Sequence, residues 1–274
     1  MSRGAASGAD ALARAGIDAR EARLLLAEAG AMPEASVIAR PERALPQTAL
    51  ERFEALAARR RAGEPIAYLL GRREFYDLEL AVGPAVLIPR PETELLVERA
   101  LERLARWERP AVLDLGTGSG ALALAIKRHC ARARVVAVEA SGAALELAQA
   151  NARRLGLEVD FRAGRWFAPV GEERFELIVS NPPYVAEDDP HLGQGDLRFE
   201  PRAALVAGPD GLDAIREIVR EAPAHLVAGG WLLLEHGLGQ DARVRALLEH
   251  AGLEAIATWS DLAGIPRVSG GRAR

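Results

Sequence analysis

The chain has 274 residues, of which 49% are hydrophobic and 27% charged, a composition typical of a globular protein with a sizeable core. Its formal net charge of -4 excludes a chain-wide cationic field for capturing nucleic acid, and its single cysteine excludes an internal disulfide framework. The five histidines show no metal-ligand spacing, and we find neither a signal-peptide pattern nor a membrane-spanning run, so we expect a cytoplasmic protein without a metal site.

Residues 1–72 are expected to form a small helical domain, because we find no convincing strand pattern there. Asp18 followed by Glu21 is typical of a capped helix start. Pro46 is expected to begin a second helix that ends at the arginines 59–61, where positive charge suits the helix dipole. The segment contains no cofactor motif, which favours a role in recognising a partner.

Residues 74–88 alternate between apolar and polar side chains, with Gly83-Pro84 between two apolar stretches. This pattern predicts a β-hairpin, so we expect residues 73–89 to link two domains. Pro91 lies where the next helix is expected to open.

After Pro110, strand and helix patterns alternate regularly. The predicted strands are 111–115, 134–139, 157–162, 175–180 and 230–235, the predicted helices are 119–131, 141–154, 211–228 and 239–251, and a final strand pair is predicted at 254–259 and 265–268. This alternation predicts a parallel sheet wound by helices, with ligands bound at the carboxyl ends of the strands. Residues 90–274 are therefore expected to form an α/β domain.

The first of these strands runs directly into a glycine-rich loop, Gly116-Thr117-Gly118-Ser119-Gly120, which opens a helix. Glycines let the backbone approach a ligand closely and adopt positive φ. Their alternating spacing differs from the dinucleotide-binding fingerprint, and taken alone the loop is also compatible with a purely structural turn. The next strand ends in Glu139, where a carboxylate can bind the two hydroxyls of a ribose.

A later strand leads into Asn181-Pro182-Pro183-Tyr184. The two prolines fix the backbone and remove two donors, which leaves the Asn181 side chain and the Pro182 carbonyl as adjacent acceptors beside an aromatic ring. Such a set suits a planar NH2 group, although the segment alone is also compatible with a simple tight turn. Glycine loop, acidic strand end and Asn-Pro-Pro-Tyr, in this order, form the pattern of S-adenosylmethionine-dependent methyltransferases that act on an amino or amide nitrogen.

Over nearly its full length the chain resembles the peptide chain release factor N5-glutamine methyltransferases. The matching segments, in chain order, are Gly63-Glu64-Pro65-Ile66-Ala67-Tyr68, Leu87-Ile88-Pro89-Arg90-Pro91-Glu92-Thr93-Glu94, the glycine loop with Asp114-Leu115 before it, Ser180-Asn181-Pro182-Pro183-Tyr184, Glu200-Pro201, Gly208-Pro209-Asp210-Gly211-Leu212 and Glu235-His236-Gly237. Asn-Pro-Pro-Tyr is shared by several nitrogen methyltransferases, whereas Pro-Arg-Pro-Glu-Thr-Glu is far more specific to the glutamine enzymes.

The resemblance implies a fold and a site. The fold is a helical release-factor recognition domain, a hairpin linker and a Rossmann-like class I methyltransferase domain with seven mostly parallel strands. The implied cofactor-binding residues are Gly116, Thr117, Gly118, Ser119 and Gly120 for the methionine part, Glu139 for the ribose, Trp166 with Phe167 for the adenine, and Asn181. Asn181, Pro182, Pro183 and Tyr184 would bind the glutamine side chain, with Asn181, Pro182 and Tyr184 acting in catalysis. Arg165 stands where the family commonly has an acidic residue, so we assign it no role.

The implied activity is methyl transfer from S-adenosylmethionine to the side-chain amide nitrogen of the glutamine in the Gly-Gly-Gln motif of class 1 release factors, in support of translation termination. Neither direct nucleic-acid binding nor a membrane partner is expected. Three alternatives stay open: a glutamine methyltransferase for a ribosomal protein, an adenine-N6 DNA methyltransferase, and a cofactor-binding module without turnover. The DNA enzyme is disfavoured because the chain has no evident basic recognition region.

Overall fold

The computed structural model describes residues 7–274, which divide into two compact units. Unit 1 extends to Arg72 and also contains the later segment His191–Phe199, whereas unit 2 consists of Arg73–Pro190 and Glu200–Arg274. The chain thus leaves unit 2 for nine residues and returns to it, a connection that the sequence pattern did not indicate.

Unit 1 is helical. Its helices are α1 (Gly8–Arg14), α2 (Ala19–Ala29), α3 (Glu34–Ala39), α4 (Gln47–Arg61) and α5 (Ile66–Leu70). As predicted, the Asp18 side chain caps α2, accepting from the backbone of Arg20 at 2.9 Å and of Glu21 at 3.1 Å, and Pro46 precedes α4. Leu25, Leu26 and Phe53 are fully buried where α2 packs against α4.

The three arginines at the end of α4 form ion pairs within unit 1. Arg59 pairs with Glu64 at 2.5 Å, Arg60 with Glu21 at 2.7 Å and Arg61 with Glu54 at 2.7 Å. Glu21 therefore holds an arginine of another helix. The later segment joins the same group of charges, because Asp196 lies 3.5 Å from Arg60 and the Arg198 guanidinium donates to the Ala62 carbonyl at 2.7 Å.

A two-stranded sheet follows, formed by β1 (Arg72–Phe75) and β2 (Leu78–Ala81). The hairpin is present, but its predicted turn at Gly83-Pro84 is wrong: the chain turns at Tyr76-Asp77, where Tyr76 has a φ of 58°. Residues 82–90 contain no strand. The apolar alternation continues through them because Val82, Val86 and Ile88 are buried as irregular chain, and burial alone produces the same pattern as a strand.

Unit 2 is built on a seven-stranded sheet with the order β5-β4-β3-β6-β7-β9-β8. The strands are β3 (Ala111–Leu115), β4 (Arg134–Glu139), β5 (Asp160–Ala163), β6 (Phe175–Ser180), β7 (Leu226–Glu235), β8 (Glu254–Ser260) and β9 (Pro266–Arg272). The first five are parallel, and β9 is antiparallel to both β7 and β8. The predicted seven-stranded, mostly parallel sheet is confirmed.

The helices of unit 2 are α6 (Glu94–Leu104), α7 (Ala121–His129), α8 (Gly142–Leu155), α9 (Asp213–Glu221) and α10 (Asp241–His250). The predicted helix 211–228 is too long, because a 3-10 turn at Ala222–His225 contains Pro223 and β7 begins directly after it. The strand predicted at 157–162 begins three residues late, at Asp160. Within residues 7–274, no helix is long and apolar enough to cross a membrane.

The order of the strands brings two predicted motifs together. From β3 the chain moves outward through β4 and β5, then returns to place β6 on the other side of β3. The carboxyl ends of β3 and β6 are therefore neighbours at a topological switch point, where ligands bind in open α/β sheets. The buried Ser180 hydroxyl at the end of β6 donates to the Leu115 carbonyl at 2.7 Å. This bond joins the starts of the glycine loop and of the Asn-Pro-Pro-Tyr turn.

Candidate active site

A cavity of about 570 Å³ lies at these carboxyl ends, within unit 2. Its volume is in the range of small-molecule and cofactor pockets. The predicted site residues that line it are Gly116, Thr117, Gly118, Ser119, Glu139, Trp166, Asn181 and Pro183. Parts of residues 85–93 and 201–214 complete the wall. Gly120, Pro182 and Tyr184 are not in the lining.

The glycine loop turns through three left-handed residues, with φ of 72° at Gly116, 57° at Gly118 and 86° at Gly120. At Gly116 a Cβ would lie 3.4 Å from the Trp166 ring, so the missing side chain lets the indole approach the loop. At Gly120 a Cβ would lie only 2.9 Å from a Leu124 methyl group. A side chain at Gly120 would therefore press on Leu124 at the start of α7, and Gly120 lies outside the cavity wall.

Glu139 closes the loop from the end of β4. One carboxylate oxygen accepts from the Gly118 backbone at 2.9 Å, and the other accepts from the Ser141 backbone at 2.9 Å. Each oxygen keeps a further acceptor position, because a carboxylate offers about four lone-pair sites. Glu139 can thus hold the loop in shape and still accept hydrogen bonds from a pair of hydroxyl groups in the cavity.

Asp114, directly below the loop, is a buried carboxyl group to which the sequence analysis gave no role. Thr117 donates to its Oδ2 at 2.6 Å and the Ala123 backbone donates at 3.2 Å, while Oδ1 is buried without a partner. Burial raises the pKa of Asp114 to about 7, although these two hydrogen bonds act in the opposite direction. An acidic residue within an otherwise apolar strand is the signal that could have identified it.

Trp166 lines the cavity with a left-handed backbone, φ 47°. The prediction that Phe167 also flanks the adenine is wrong, because Phe167 is buried and stacks on His225 with ring centroids 4.5 Å apart. Arg165, left without a role, forms an ion pair with Glu217, and its guanidinium lies 5.6 Å from the centre of the Trp166 ring.

The Asn181 side chain presents an acceptor. Its Nδ2 donates to the Thr93 hydroxyl at 3.1 Å, whereas its Oδ1 is buried and has no partner. A buried, unpaired carbonyl oxygen costs free energy unless a ligand donates to it. In a residue that lines the cavity, it marks the position where an N–H group of a ligand is expected.

Tyr184 lies behind this acceptor. Its hydroxyl donates to Glu235 Oε1 at 3.2 Å, and burial raises the pKa of the phenol. The Gln240 amide donates to the Tyr184 carbonyl at 3.0 Å and accepts from the Gly237 backbone at 2.8 Å. Thr93 lines the cavity, whereas Glu235 and Gln240 contact Tyr184 outside its lining. The sequence predicted a role for none of the three, although Thr93 and Glu235 lie inside matched motifs.

The lining fits S-adenosylmethionine, the cofactor that the sequence implies. The glycine loop permits close approach, Glu139 has acceptors left for ribose hydroxyls, and Trp166 supplies a flat apolar wall. Among the described residues, no group of three or more His, Cys, Asp or Glu side chains could hold a metal ion.

Comparison with known proteins identifies the family. The family model of the methyltransferase small domain matches residues 91–195, and that of the PrmC N-terminal domain matches residues 6–71. The release factor glutamine methyltransferase of Burkholderia pseudomallei is 50% identical over 274 residues, covering 97% of this chain and 96% of the relative. That of Xylella fastidiosa is 56% identical over 229 residues, covering 83% of each. This chain belongs to the release factor glutamine methyltransferases.

Solved structures of other methyltransferases share the fold of this chain. The T. thermophilus 16S rRNA N2 methyltransferase in complex with AdoMet and guanosine is 26% identical with a TM-score of 0.56, over 74% of this chain and 50% of that chain. A ribosomal protein methylase from Lactobacillus delbrueckii is 20% identical with a TM-score of 0.51, over 68% of this chain and 81% of its own, and it shares the fold alone. The predictions of a class I methyltransferase fold and of an enzyme are confirmed for this release factor glutamine methyltransferase.

Proposed function

We propose that this release factor glutamine methyltransferase transfers the methyl group of S-adenosylmethionine to the side-chain amide nitrogen of the glutamine in the Gly-Gly-Gln motif of class 1 release factors. The observation that carries the proposal is the buried, unpaired Oδ1 of Asn181 in the cavity wall. A glutamine amide is a planar group with two N–H donors, and it satisfies this acceptor. The Pro182 carbonyl is the expected acceptor for the second hydrogen.

Binding of the cofactor is assigned to the residues around the glycine loop. The loop backbone and Glu139 would hold the amino-acid and ribose parts, and Trp166 would cover the base. When bound, S-adenosylmethionine supplies an electrophilic methyl group on a positively charged sulfur. The protein then supplies position and polarity, as cofactor enzymes do in general.

Catalysis depends on the orientation of the glutamine amide that receives the methyl group. An amide nitrogen is a weak nucleophile because its lone pair is delocalised into the carbonyl. By accepting the amide hydrogens, Asn181 and the Pro182 carbonyl would hold the nitrogen in one orientation and favour lone-pair density directed at the methyl group. The surplus proton can leave to water after transfer, so no histidine or carboxylate base is required.

Recognition of the protein substrate is proposed for unit 1, together with a cytoplasmic location, since release factors act at the ribosome. One glutamine side chain offers few contacts, and selection of a single glutamine requires an interface on the order of 1,000 Å². The arginines of α4 are paired with Glu64, Glu21 and Glu54. These pairs favour a structural role for the arginines over contact with a partner.

The test is transfer of isotopically labelled methyl to four purified acceptors: a release factor, the same factor with its Gly-Gly-Gln glutamine replaced by alanine, a ribosomal protein, and duplex DNA. We expect label on the first acceptor alone, located on the glutamine by mass spectrometry. Label on the alanine variant, on the ribosomal protein or on DNA would assign another substrate. No transfer to any of the four would contradict the proposal.

A further inference from the structure

Thr93 lies in the cavity wall, at the end of a 3-10 turn formed by Pro91–Thr93, and only 4% of it is exposed. Its hydroxyl accepts from Asn181 Nδ2 at 3.1 Å, across 88 residues of sequence. The Pro-Arg-Pro-Glu-Thr-Glu segment is far more specific to the glutamine enzymes than Asn-Pro-Pro-Tyr is. The roles assigned to the glycine loop and to Asn181–Tyr184 give this segment no function. Through its hydroxyl, Thr93 connects this segment to Asn181, the first residue of the Asn-Pro-Pro-Tyr turn.

The orientation of the Asn181 amide decides whether the site can bind an NH2 group. A rotation of 180° about the terminal torsion exchanges its oxygen and its nitrogen at nearly no steric cost. With the nitrogen facing the cavity, the protein would present a donor to the two donors of a substrate amide. A neighbouring group must therefore favour the orientation in which Nδ2 is bonded within the protein and Oδ1 is left to accept from a ligand.

A hydroxyl alone cannot impose that choice, because it can donate or accept. The Thr93 hydroxyl also lies close enough to the carboxyl group of Glu235, at the end of β7, to lower the pKa of that carboxyl. An ionised carboxylate can only accept, so a Thr93 hydroxyl turned toward Glu235 donates its hydrogen there and leaves Oγ1 as an acceptor for the Asn181 NH2 group. The Tyr184 hydroxyl donates to the same carboxyl group at 3.2 Å, which is consistent with an accepting Glu235.

We propose that Thr93 is a positioning residue of this methyltransferase: its hydroxyl, held by Glu235, fixes the Asn181 side chain so that the oxygen faces the acceptor amide. The inference rests on the proposed function only in requiring that the group that receives the methyl is an NH2 group. It applies equally to a release-factor glutamine, a ribosomal-protein glutamine or an adenine.

The protonation of Glu235 gives the proposal a testable pH dependence. Burial raises the pKa of Glu235 to about 7, while the hydrogen bonds from Thr93 and Tyr184 and the charge of Arg267 act to lower it and Glu92 acts to raise it. A protonated Glu235 can donate to Thr93. Thr93 can then donate to Asn181 in turn, and the orientation of the Asn181 amide is no longer fixed. Turnover is therefore expected to rise as the pH increases through about 7.

The test compares Thr93→Val, which keeps the shape and removes the hydroxyl, with Thr93→Ser, which keeps the hydroxyl. We expect Thr93→Val to lower kcat about tenfold or more, the range for a lost transition-state contact, with the affinity for S-adenosylhomocysteine unchanged within about twofold. Thr93→Ser should restore kcat to within about threefold of the wild type. Wild-type kcat in Thr93→Val, or equal losses in both variants, would overturn the proposal.

Two controls keep the outcome decisive. The wild-type protein is assayed first on release factor, ribosomal protein and DNA, and the variants are then compared on the substrate that it methylates. An error in the substrate assignment is thereby distinguished from an error in the role of Thr93. If Thr93→Val does not fold, Glu235→Gln decides: its kcat should lack the rise through neutral pH seen in the wild type. The same pH profile in both proteins would contradict the inference.

Discussion

The side chain of Asn151 pairs with both backbone groups of Ala81: its Oδ1 accepts from the Ala81 N–H at 2.7 Å, and its Nδ2 donates to the Ala81 carbonyl at 3.0 Å. The same Nδ2 donates to the Ser119 carbonyl at 2.9 Å. Asn151 is completely buried on α8. One amide therefore binds the edge of β2 and the glycine loop, so the hairpin is linked to the cofactor site.

Asn151→Ala is expected to lower the free energy of unfolding by about 2 to 4 kcal/mol, because it leaves the buried Ser119 carbonyl and the part-buried backbone groups of Ala81 without this partner. Affinity for S-adenosylhomocysteine should fall as well, since the Ser119 carbonyl loses its anchor. Urea denaturation and calorimetric titration measure the two effects. Gln149→Ala, a partly exposed amide on the same helix, serves as the control. Equal stability of the two variants would show that the Asn151 bonds contribute nothing.

Asn181→Ala is expected to lower turnover by roughly two to three orders of magnitude while cofactor affinity stays within a few fold. The alanine removes the unpaired Oδ1 that is assigned to the acceptor amide. Single-turnover methylation separates this chemical step from product release. Near wild-type rates in the variant would remove Asn181 from the mechanism.

Glu139→Ala is expected to raise the dissociation constant of S-adenosylhomocysteine about tenfold or more. The carboxylate is assigned to the ribose, and it also holds the Gly118 and Ser141 backbones. Calorimetric titration gives the value directly. Glu146→Ala, an exposed carboxylate on α8, is the matched control and should bind like the wild type. Unchanged affinity in Glu139→Ala would mean that this carboxylate does not face the cofactor.

The buried Asp114 predicts a pH dependence of stability. The pKa of Asp114 in the folded state is raised to about 7, above its value in the unfolded chain. At pH values between the two pKa values the native state therefore binds more protons than the unfolded state. The stability contributed by protonated Asp114 is lost as the pH rises through about 7. Asp114→Asn removes the titration. From pH 5 to pH 8, its free energy of unfolding should therefore improve relative to the wild type by roughly 3 kcal/mol. Urea denaturation at both pH values tests this, and parallel pH profiles would contradict it.

The sequence predicted those parts of the site that are set by short segments. Glu139 and Asn181 each end an apolar run, and the parallel sheet then brings strand ends together without further information. The long-range polar contacts were not predictable: Asn151 meets Ala81 across 70 residues and Gln240 meets Tyr184 across 56. Nothing in the local sequence around either amide indicates its partner, because such pairs depend on how helices pack on the sheet.

Predictions from short stretches of sequence were also wrong where the pattern had more than one structural cause. Val86 and Ile88 are apolar because they are buried, and they were assigned to a strand although the chain there is irregular. Phe167 was placed beside the adenine because it follows Trp166, but the turn directs it into the core against His225.

The return of His191–Phe199 to unit 1 makes that unit discontinuous in sequence. A boundary drawn at Arg72 therefore does not release a self-sufficient module: cutting there would leave Asp196 without Arg60, and Arg198 without the Ala62 carbonyl. Grafting the unit onto another methyltransferase would require both stretches of chain, the second inserted only six residues after Tyr184. Any change of partner by exchange of this unit must accordingly keep three junctions in register, where a simple fusion of domains has one.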